Sequence, residues 1–326
     1  MRAIKTVEQT PGEGSVPIDI EEILTQIKKI NKNSKFKTIG LDEFSIYDSG
    51  NETINYISGC RGIARGKVIQ IVGGSSSGKT TLAQLFVASV QKAGKVAAWI
   101  DAEDAFVPSY AIKFGVNIKT LIHEKPNTAE EVFDDMIGLL GIPEIGIVVV
   151  DSIASLMPEA EQEESKQKAI LASFLATKLK LLTNRLTKES PVIILLNQKR
   201  KKFNAVSFGE QTQNSGGVSV DYYSQQIYKT ARIKKIEDDL GRVIGVKTQV
   251  ELEKNKLGMP FRKCVLTIDY RKGISRFTGF LDLLLEYKII TKSGMGFSYN
   301  GTVYKKDEVE TFYEQNKEAI IKALEE

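Results

Sequence analysis

Short hydrophobic runs and helical hydrophobic spacing alternate along the chain between residues 36 and 270. Apolar runs of strand length predict strands at residues 68–72, 96–100, 146–150, 192–196, 226–233 and 246–252. The run Ile147–Val150 is apolar at every position, which is typical of a parallel strand buried on both faces. Because helical segments separate these runs, the pattern predicts an α/β fold in which helices cover a mostly parallel, twisted sheet.

The N-terminal segment has a different pattern. Residues 1–17 are rich in proline and glycine and predict a flexible leader. Apolar residues then recur at helical spacing over residues 18–30, and Asp19 is a suitable N-cap for a helix there. An amphipathic helix must bury its apolar stripe, either on its own domain or on a neighbouring protomer. Both alternatives stay open at this point.

The pattern changes again after Gly273. The segment FLDLLLEYKII is helical, GFSYNGTVY reads as a hairpin around Asn300–Gly301, and residues 307–326 have the spacing of an amphipathic helix. These elements predict a small α+β unit. The expected domains are an N-terminal leader and helix, an α/β core and this C-terminal unit, at residues 1–35, 36–270 and 271–326.

Composition narrows the possible classes of protein. The 326 residues are 42% hydrophobic and 26% charged, as in an ordinary soluble globular protein. The chain has neither an apolar run of about 18 residues nor an N-terminal secretory segment, so we expect a cytoplasmic protein without membrane partners. Cys60 and Cys264 lack metal-ligand spacing, and the single histidine, His123, excludes a multi-histidine metal site. A net charge of +4 does not by itself indicate a nucleic-acid ligand.

The segment KVIQIVGGSSSGKTT carries the most informative motif. A β-branched strand leads into a glycine-rich loop, and an apolar-periodic helix follows. In such a phosphate loop the backbone N–H groups face phosphate oxygens, the lysine reaches the β- and γ-phosphates, and the hydroxyl after the lysine can ligate Mg²⁺. The motif therefore predicts a nucleoside triphosphate site. Its contact residues are expected to be Gly73, Gly74, Ser75, Ser76, Ser77, Gly78, Lys79, Thr80 and Thr81.

Acidic residues follow two other predicted strands. Asp151 ends the strand IGIVVVD, where it can join the Mg²⁺ shell with Thr80, and the alternative is a cap on the next turn. Asp101 and Glu103 follow the strand VAAWI, where an open parallel sheet forms its ligand crevice. Glu103 is a candidate to orient and activate the attacking water, and the alternative is an exposed loop acid.

A basic segment follows the strand predicted at 192–196. Asn197 and Gln198 end this strand, where an amide can hydrogen-bond a γ-phosphate. We expect residues 199–215 to form a long loop without regular structure, and such loops are commonly functional. Cations suit a phosphate backbone, and aromatic rings can stack on bases, although a solvated basic patch is the alternative. The candidate DNA-binding residues are Lys199, Arg200, Lys201, Lys202, Phe203, Phe208, Gly216 and Gly217.

Together these motifs resemble the bacterial RecA recombinases and their phage relatives. The similarity runs from about residue 18 to residue 326. It includes the phosphate loop, VAAWIDAEDAF, IVVVDSIASLMPEAE, ILLNQKRKKF and VELEKNKLGMPF. The segment GISRFTGFLDLLLEYKIITKSGMGFSYNG is similar to the small C-terminal domain of that family. The resemblance implies a RecA-type phosphate-loop ATPase core that uses ATP and Mg²⁺.

The resemblance also implies roles for single residues. It makes Glu103 the glutamate that activates water, and Asp151 the aspartate associated with magnesium. Gln198 matches the glutamine that links the γ-phosphate to the DNA loop, which covers residues 199–215. Tyr110 matches the tyrosine that stacks on adenine, and Tyr270 matches another residue near the nucleotide.

Two further implications concern neighbouring protomers. Lys254 and Lys256, in EKNK, match lysines that reach the ATP of the adjacent protomer, so that hydrolysis depends on filament assembly. Together with Lys79, Glu103 and Gln198 they form the expected catalytic set. The helix at residues 18–30 matches the element that docks on the adjacent subunit.

The chain departs from the family pattern at several positions. Val107 replaces an aspartate near the adenine, and Ser75 and Asp104 replace residues common in bacterial members. The first DNA-binding loop, at 158–168, is acidic and shorter by about three residues than the family pattern. No long acidic tail follows Glu326. These departures favour a phage-encoded or otherwise divergent member.

The resulting hypothesis is a DNA-dependent ATPase that forms a helical filament on single-stranded DNA and exchanges strands with a homologous duplex. Its expected partners are single-stranded DNA, double-stranded DNA and further copies of itself. The alternatives are a ring-shaped helicase or motor on the same core, and a non-catalytic, ATP-gated mediator that coats single-stranded DNA.

Overall fold

A computed structural model describes residues 19–32, 45–158, 164–201, 212–214 and 218–325. The chain separates into two compact units, residues 1–43 and residues 44–326. The helices are α1 (Ile20–Ile30), α2 (Glu52–Ile57), α3 (Lys79–Lys92), α4 (Pro108–Lys113), α5 (Ala129–Leu139), α6 (Glu164–Arg185), α7 (Val218–Tyr223), α8 (Phe280–Glu286) and α9 (Val309–Glu325). The strands are β1 (Ile46–Tyr47), β2 (Ile63–Ala64), β3 (Val68–Gly73), β4 (Val96–Asp101), β5 (Leu121–Glu124), β6 (Ile145–Asp151), β7 (Val192–Lys201), β8 (Thr212–Asn214), β9 (Gln226–Glu237), β10 (Val243–Asn255), β11 (Lys263–Asp269), β12 (Thr291–Ser293), β13 (Gly296–Tyr299) and β14 (Thr302–Tyr304).

In the first unit, α1 begins where the sequence places its cap. The side chain of Asp19 accepts hydrogen bonds from the N–H groups of Glu21 (2.9 Å) and Glu22 (3.2 Å), two of the donors that a helix start leaves unpaired. Ile20, Ile23 and Ile30 are exposed on this helix. Docking of this apolar stripe on an adjacent subunit stays a prediction.

The large sheet of the second unit has the strand order β11-β10-β9-β3-β7-β6-β4-β5. The strands from β9 to β5 run parallel to their neighbours, and β10 and β11 extend one side in antiparallel pairing. The prediction of a mostly parallel, helix-covered sheet is confirmed. Residues of β6 show why its run is apolar throughout: Ile147 and Val149 face one hydrophobic core, while Val148 and Val150 face the other.

Several elements differ from the sequence-based expectations. Three strands of the large sheet, β5, β8 and β11, were not predicted. In β5 and β11, exposed or polar positions interrupt the apolar pattern. The expectation that residues 199–215 lack regular structure is wrong in part. Strand β7 continues to Lys201, since β8 returns as an antiparallel partner for Lys199–Lys201. Backbone pairing thus extends a strand into a segment that its basic side chains mark as a loop.

The C-terminal elements contain the predicted hairpin. Strands β12, β13 and β14 form a three-stranded antiparallel sheet. Asn300 (φ 47°) and Gly301 (φ 83°) connect β13 to β14, and this pair of positive φ angles matches the tight turn that Asn-Gly favours. Phe297 and Phe312 of this region belong to the same hydrophobic core as β3 and α3, so the small sheet packs continuously on the rest of the unit.

A buried charge network connects the C-terminal helix to the core. Glu52 of α2 is buried, and it accepts a hydrogen bond from the hydroxyl of Tyr313 on α9 (2.8 Å) and pairs with Arg276. Arg276 also contacts Asp48 (3.0 Å). A buried carboxylate is stable only when donors surround it, so the attachment of α9 depends on this network.

Tyr313→Phe is expected to lower the free energy of unfolding by about 1–3 kcal/mol, because it removes one donor from a buried carboxylate. Urea denaturation measures the change. Tyr299→Phe is the matched control, since the ring of Tyr299 packs on Phe312 as that of Tyr313 packs on Phe277. An equal loss in both variants would contradict the role of the hydrogen bond.

Candidate functional site

The phosphate-loop segment forms the turn between β3 and α3. Gly73 ends the strand at a point of close approach, because a Cβ there would lie 2.4 Å from Oγ1 of Thr230 and 2.5 Å from Oγ of Ser77. These two hydroxyl groups hydrogen-bond each other at 2.7 Å and anchor the loop to β9. Gly74, Ser75 and Ser76 are exposed, so the tip of the loop is open to a ligand.

Lys79 is the cation of this loop. Its side chain is 9% exposed, and Nζ donates a hydrogen bond to the carbonyl oxygen of Gly74 (3.0 Å). Burial lowers the pKa of Lys79, and the nearby carboxylates of Asp151 and Glu103 oppose this shift. A poorly solvated ammonium group gains strongly from an anion, which suits it to a phosphate group.

Thr80 and Asp151 lie side by side. The Thr80 hydroxyl donates to Oδ2 of Asp151 at 3.1 Å, and Asp151 is 8% exposed. Burial, reinforced by the charge of Glu103, raises the pKa of Asp151 to about 6. The buried carboxylate of Asp151 and the adjacent hydroxyl of Thr80 fit Mg²⁺, which typically takes one or two protein oxygens and completes its shell with water and phosphate oxygens. No group of three or more histidine, cysteine, aspartate or glutamate side chains that could hold a metal ion occurs in the described part of the chain.

Glu103 lies close to Asp151, on the segment after β4. Its N–H donates to the carbonyl oxygen of Asp151 (3.2 Å). Its Oε1 accepts hydrogen bonds from the hydroxyls of Ser152 and Ser155 (3.0 Å for Ser155) and from Nε2 of Gln198 (3.3 Å). The sequence-based interpretation missed both serines. The only signal for them is their place directly after Asp151, in DSIAS.

Asp101, the last residue of β4, holds the segment that carries Glu103. It is 2% exposed and accepts hydrogen bonds from the N–H groups of Ala105 (3.1 Å) and Phe106 (2.8 Å), while Nε2 of His123 lies 3.4 Å from its carboxylate. The segment that carries Glu103 is therefore fixed at its base by a buried carboxylate.

Tyr110 and Tyr270 line one cleft beside the phosphate loop. The cleft has a volume of about 380 Å³ and is also bounded by Ser76, Gly78 and Thr81. Two aromatic rings next to the loop give a slot of the size and character that a nucleobase needs. Val107 does not line this cleft and is exposed.

Lys254 and Lys256 lie away from the phosphate loop, near the start of β9. Because β10 runs antiparallel to β9, Lys254 pairs with Ile227 near the start of β9, whereas the phosphate loop adjoins Thr230 farther along that strand. Nζ of Lys254 donates to the carbonyl oxygens of Asp221 (2.5 Å) and Tyr222 (3.1 Å) at the end of α7. Burial and the nearby charge of Lys256 lower the pKa of Lys254. Nζ of Lys256 lies 6.0 Å from the ring centre of Tyr222.

The candidate DNA-binding residues are only partly within the described residues. Lys199, Arg200 and Lys201 continue β7 directly after Gln198. The others, together with the middle of the acidic first loop, lie outside the described residues: Lys202, Phe203, Phe208, Gly216, Gly217 and 159–163. None of the helices in the described ranges has the length and apolar character needed to cross a membrane.

A phosphate loop at the carboxyl edge of a parallel sheet, with carboxylates ending the adjacent strands, defines a phosphate-loop protein of the α/β class. The family model of the RecA N-terminal domain matches residues 18–275. Protein RecA of Paenarthrobacter aurescens is 35% identical over 288 residues, which cover 86% of this chain and 82% of that protein. Protein RecA of Leptospira biflexa is 32% identical in an alignment of 330 positions that covers 98% of this chain and 84% of that protein. The chain therefore belongs to the RecA family.

A solved structure agrees with this fold. The crystal structure of the RadB recombinase matches with a TM-score of 0.55 and 22% identity, covering 71% of this chain and 99% of that chain. The resemblance and the RecA-type core predicted from the sequence are thereby confirmed. The roles of the single site residues stay predictions.

Asp151→Asn is expected to change stability in a pH-dependent way in the absence of nucleotide and Mg²⁺. Since the folded pKa is about 6 against an unfolded value near 3.8, the wild type loses stability as pH rises from about 4 to 6, and the variant does not. The free energy of unfolding of the variant minus that of the wild type should therefore be about 1–3 kcal/mol larger at pH 7.5 than at pH 4. Urea denaturation at both pH values measures this.

Ser173→Ala, which removes an exposed hydroxyl from α6 and no titratable group, is the control and should shift stability equally at the two pH values. The burial argument fails if Asp151→Asn gives the same change at pH 4 and pH 7.5.

Proposed function

We propose that this RecA-like protein is a DNA-dependent ATPase that forms a helical filament on single-stranded DNA and carries out homologous pairing and strand exchange. The observation that carries the proposal is the division of the predicted catalytic set. Lys79, Glu103 and Gln198 meet at one edge of the sheet, whereas Lys254 and Lys256 lie toward the other. A site divided in this way is complete only when protomers associate.

The first half of the set supports nucleotide binding. The loop from Gly73 to Thr81 and Lys79 would hold the phosphates, and the cleft between Tyr110 and Tyr270 would take the base. Thr80 and Asp151 would hold Mg²⁺, which supplies electrostatic stabilisation of the charge that develops during phosphoryl transfer.

Glu103 is the proposed general base. During hydrolysis the oxygen of a water molecule bonds to the γ-phosphorus, the bond to the β–γ bridging oxygen breaks, and a proton of the water passes to the Glu103 carboxylate. ADP and inorganic phosphate are the products. A positioned base of this kind typically contributes 10²–10⁴-fold to the rate.

Gln198 would couple the state of the nucleotide to DNA binding. Its amide contacts Glu103 at 3.3 Å, and the same strand continues without interruption into Lys199, Arg200 and Lys201. A γ-phosphate that attracts the amide of Gln198 would therefore move the start of the basic segment. Cationic side chains there would bind the phosphates of single-stranded DNA.

Strand exchange between a single strand and a homologous duplex, with ATP and Mg²⁺, tests the whole proposal. A Lys79→Ala variant, checked for folding, serves as the inactive control, and Lys119→Ala, which changes an exposed lysine, serves as the active control. A closed six-membered ring in electron micrographs, or DNA binding without DNA-stimulated phosphate release, would replace the proposal with the motor or the mediator.

Mixing two inactive variants tests the shared site. Glu103→Gln and the double variant Lys254→Ala/Lys256→Ala should each lose most DNA-stimulated ATP turnover. In a 1:1 mixture about a quarter of the head-to-tail interfaces pair an intact Glu103 with intact lysines, so turnover should return to about a quarter of the wild-type rate. A mixture that stays as inactive as its components would show that both groups act within one protomer.

Arg200→Ala/Lys201→Ala/Lys202→Ala should weaken binding of single-stranded DNA and flatten its salt dependence. Binding releases fewer counterions when phosphate contacts are lost. The negative slope of log K against log[salt] should therefore decrease in magnitude by about 0.7 for each lost contact. Fluorescence anisotropy over a salt series measures the slope. Lys92→Ala/Lys119→Ala/Lys188→Ala removes the same charge from exposed positions elsewhere and should leave the slope unchanged.

A further inference from the structure

The carboxylate of Glu103 is held by one oxygen only. The hydroxyls of Ser152 and Ser155 and the amide of Gln198 all donate to Oε1. Within the described residues no hydrogen bond reaches Oε2, and Glu103 itself is exposed. The carboxylate therefore has one oxygen held by protein donors, while its other oxygen has no donor among the described residues.

The two serines have this position because of the turn after β6. Residues Ile153–Ser155 form a 3₁₀ turn, closed by the N–H of Ser155 and the carbonyl oxygen of Ser152 at 3.1 Å. Ser152 precedes this turn and Ser155 ends it, and their hydroxyls face the same way, since both donate to Oε1 of Glu103. They are also 3.2 Å from each other.

The turn itself is rigidly supported. Ile153 is fully buried, Leu156 is 5% exposed, and both belong to the hydrophobic core on one face of the large sheet. Ser152 is 1% exposed. The two serine donors thus belong to a turn that is anchored in the hydrophobic core. Gln198, in contrast, belongs to the strand that leads into the basic segment.

We propose that Ser152 and Ser155 are positioning residues for Glu103. They hold Oε1, so that Oε2 alone faces the reacting water, and they keep the carboxylate in place when the Gln198 amide leaves it for the γ-phosphate. This inference rests on the proposed function, because it assigns supporting residues to the base of that reaction. It also separates two tasks: Gln198 responds to the nucleotide, and the serines keep the base aligned.

The test compares Ser155→Ala, Ser155→Thr and the double variant Ser152→Ala/Ser155→Ala by DNA-stimulated phosphate release over a range of ATP concentrations. A misaligned base lowers the rate of the chemical step and leaves nucleotide binding unchanged. We expect kcat to fall about 3–10-fold for Ser155→Ala and about 30–100-fold for the double variant, with KM for ATP within about twofold. Ser155→Thr keeps the hydroxyl and should retain most of kcat.

Two controls distinguish positioning from general damage. Ser173→Ala removes an exposed hydroxyl on α6 and should leave kcat unchanged. Adding both serine changes to Glu103→Gln should lower its residual rate by less than about twofold, since the serines act only through that carboxylate. Single-stranded DNA binding with a non-hydrolysable ATP analogue should stay at the wild-type level in all serine variants.

The outcomes for this inference and for the proposed function are separate. The inference is overturned if the double variant keeps kcat within about twofold, if the loss persists in the Glu103→Gln background, or if KM rises in step with the fall in kcat. A wild-type protein without DNA-stimulated ATP turnover would instead overturn the proposed function.

Discussion

The register of the parallel strands is the constraint on which the site depends. Gly73 of β3 pairs with Gln198 of β7, and Asp101 of β4 pairs with Asp151 of β6. The strands therefore end nearly level, and the groups that follow them meet at one edge. Because side chains alternate between the two faces of a strand, a slip of one residue would turn Gln198 away from Glu103. The two apolar cores, one on each face of the sheet, fix this register. A slip of one residue would move every side chain of the strand into the opposite core and disrupt the packing of both.

The same packing creates the electrostatic character of the site. Asp101, Asp151 and Lys79 are each less than 10% exposed. Charges in such positions are poorly solvated, and each is stable only through its partners: Asp101 through backbone N–H groups, Asp151 through Thr80 and Lys79 through a carbonyl oxygen and the nearby carboxylates. Asp151 and Lys79 are thus only partly neutralised in the free protein, and under the proposed function Mg²⁺ would pair with the first and a phosphate group with the second.

Much of this architecture could be predicted from the sequence because its signals are local. The run Val68–Val72 followed by a glycine-rich loop predicts strand, phosphate loop and helix without knowledge of any other residue. The convergence of Ser152 and Ser155 on Glu103 could not be predicted, since it depends on the pairing of β4 with β6 and on a 3₁₀ turn that no apolar period marks. The location of Lys254 likewise depends on the antiparallel direction of β10, which a strand pattern alone does not reveal.

The contact between Lys254 and the end of α7 has a consequence for communication along an assembly. Residues 202–217 are bounded on one side by β7, which carries Gln198, and on the other side by α7, whose last carbonyl oxygens hold Lys254. Under the proposed function Gln198 reads the nucleotide of its own protomer, and Lys254 serves the nucleotide of the next. One DNA-binding segment would then be tethered at its two ends to two successive nucleotide sites. A strand of DNA that tightens this tether would synchronise neighbouring sites, and the filament would behave as a chain of mechanically linked pairs instead of a row of independent enzymes.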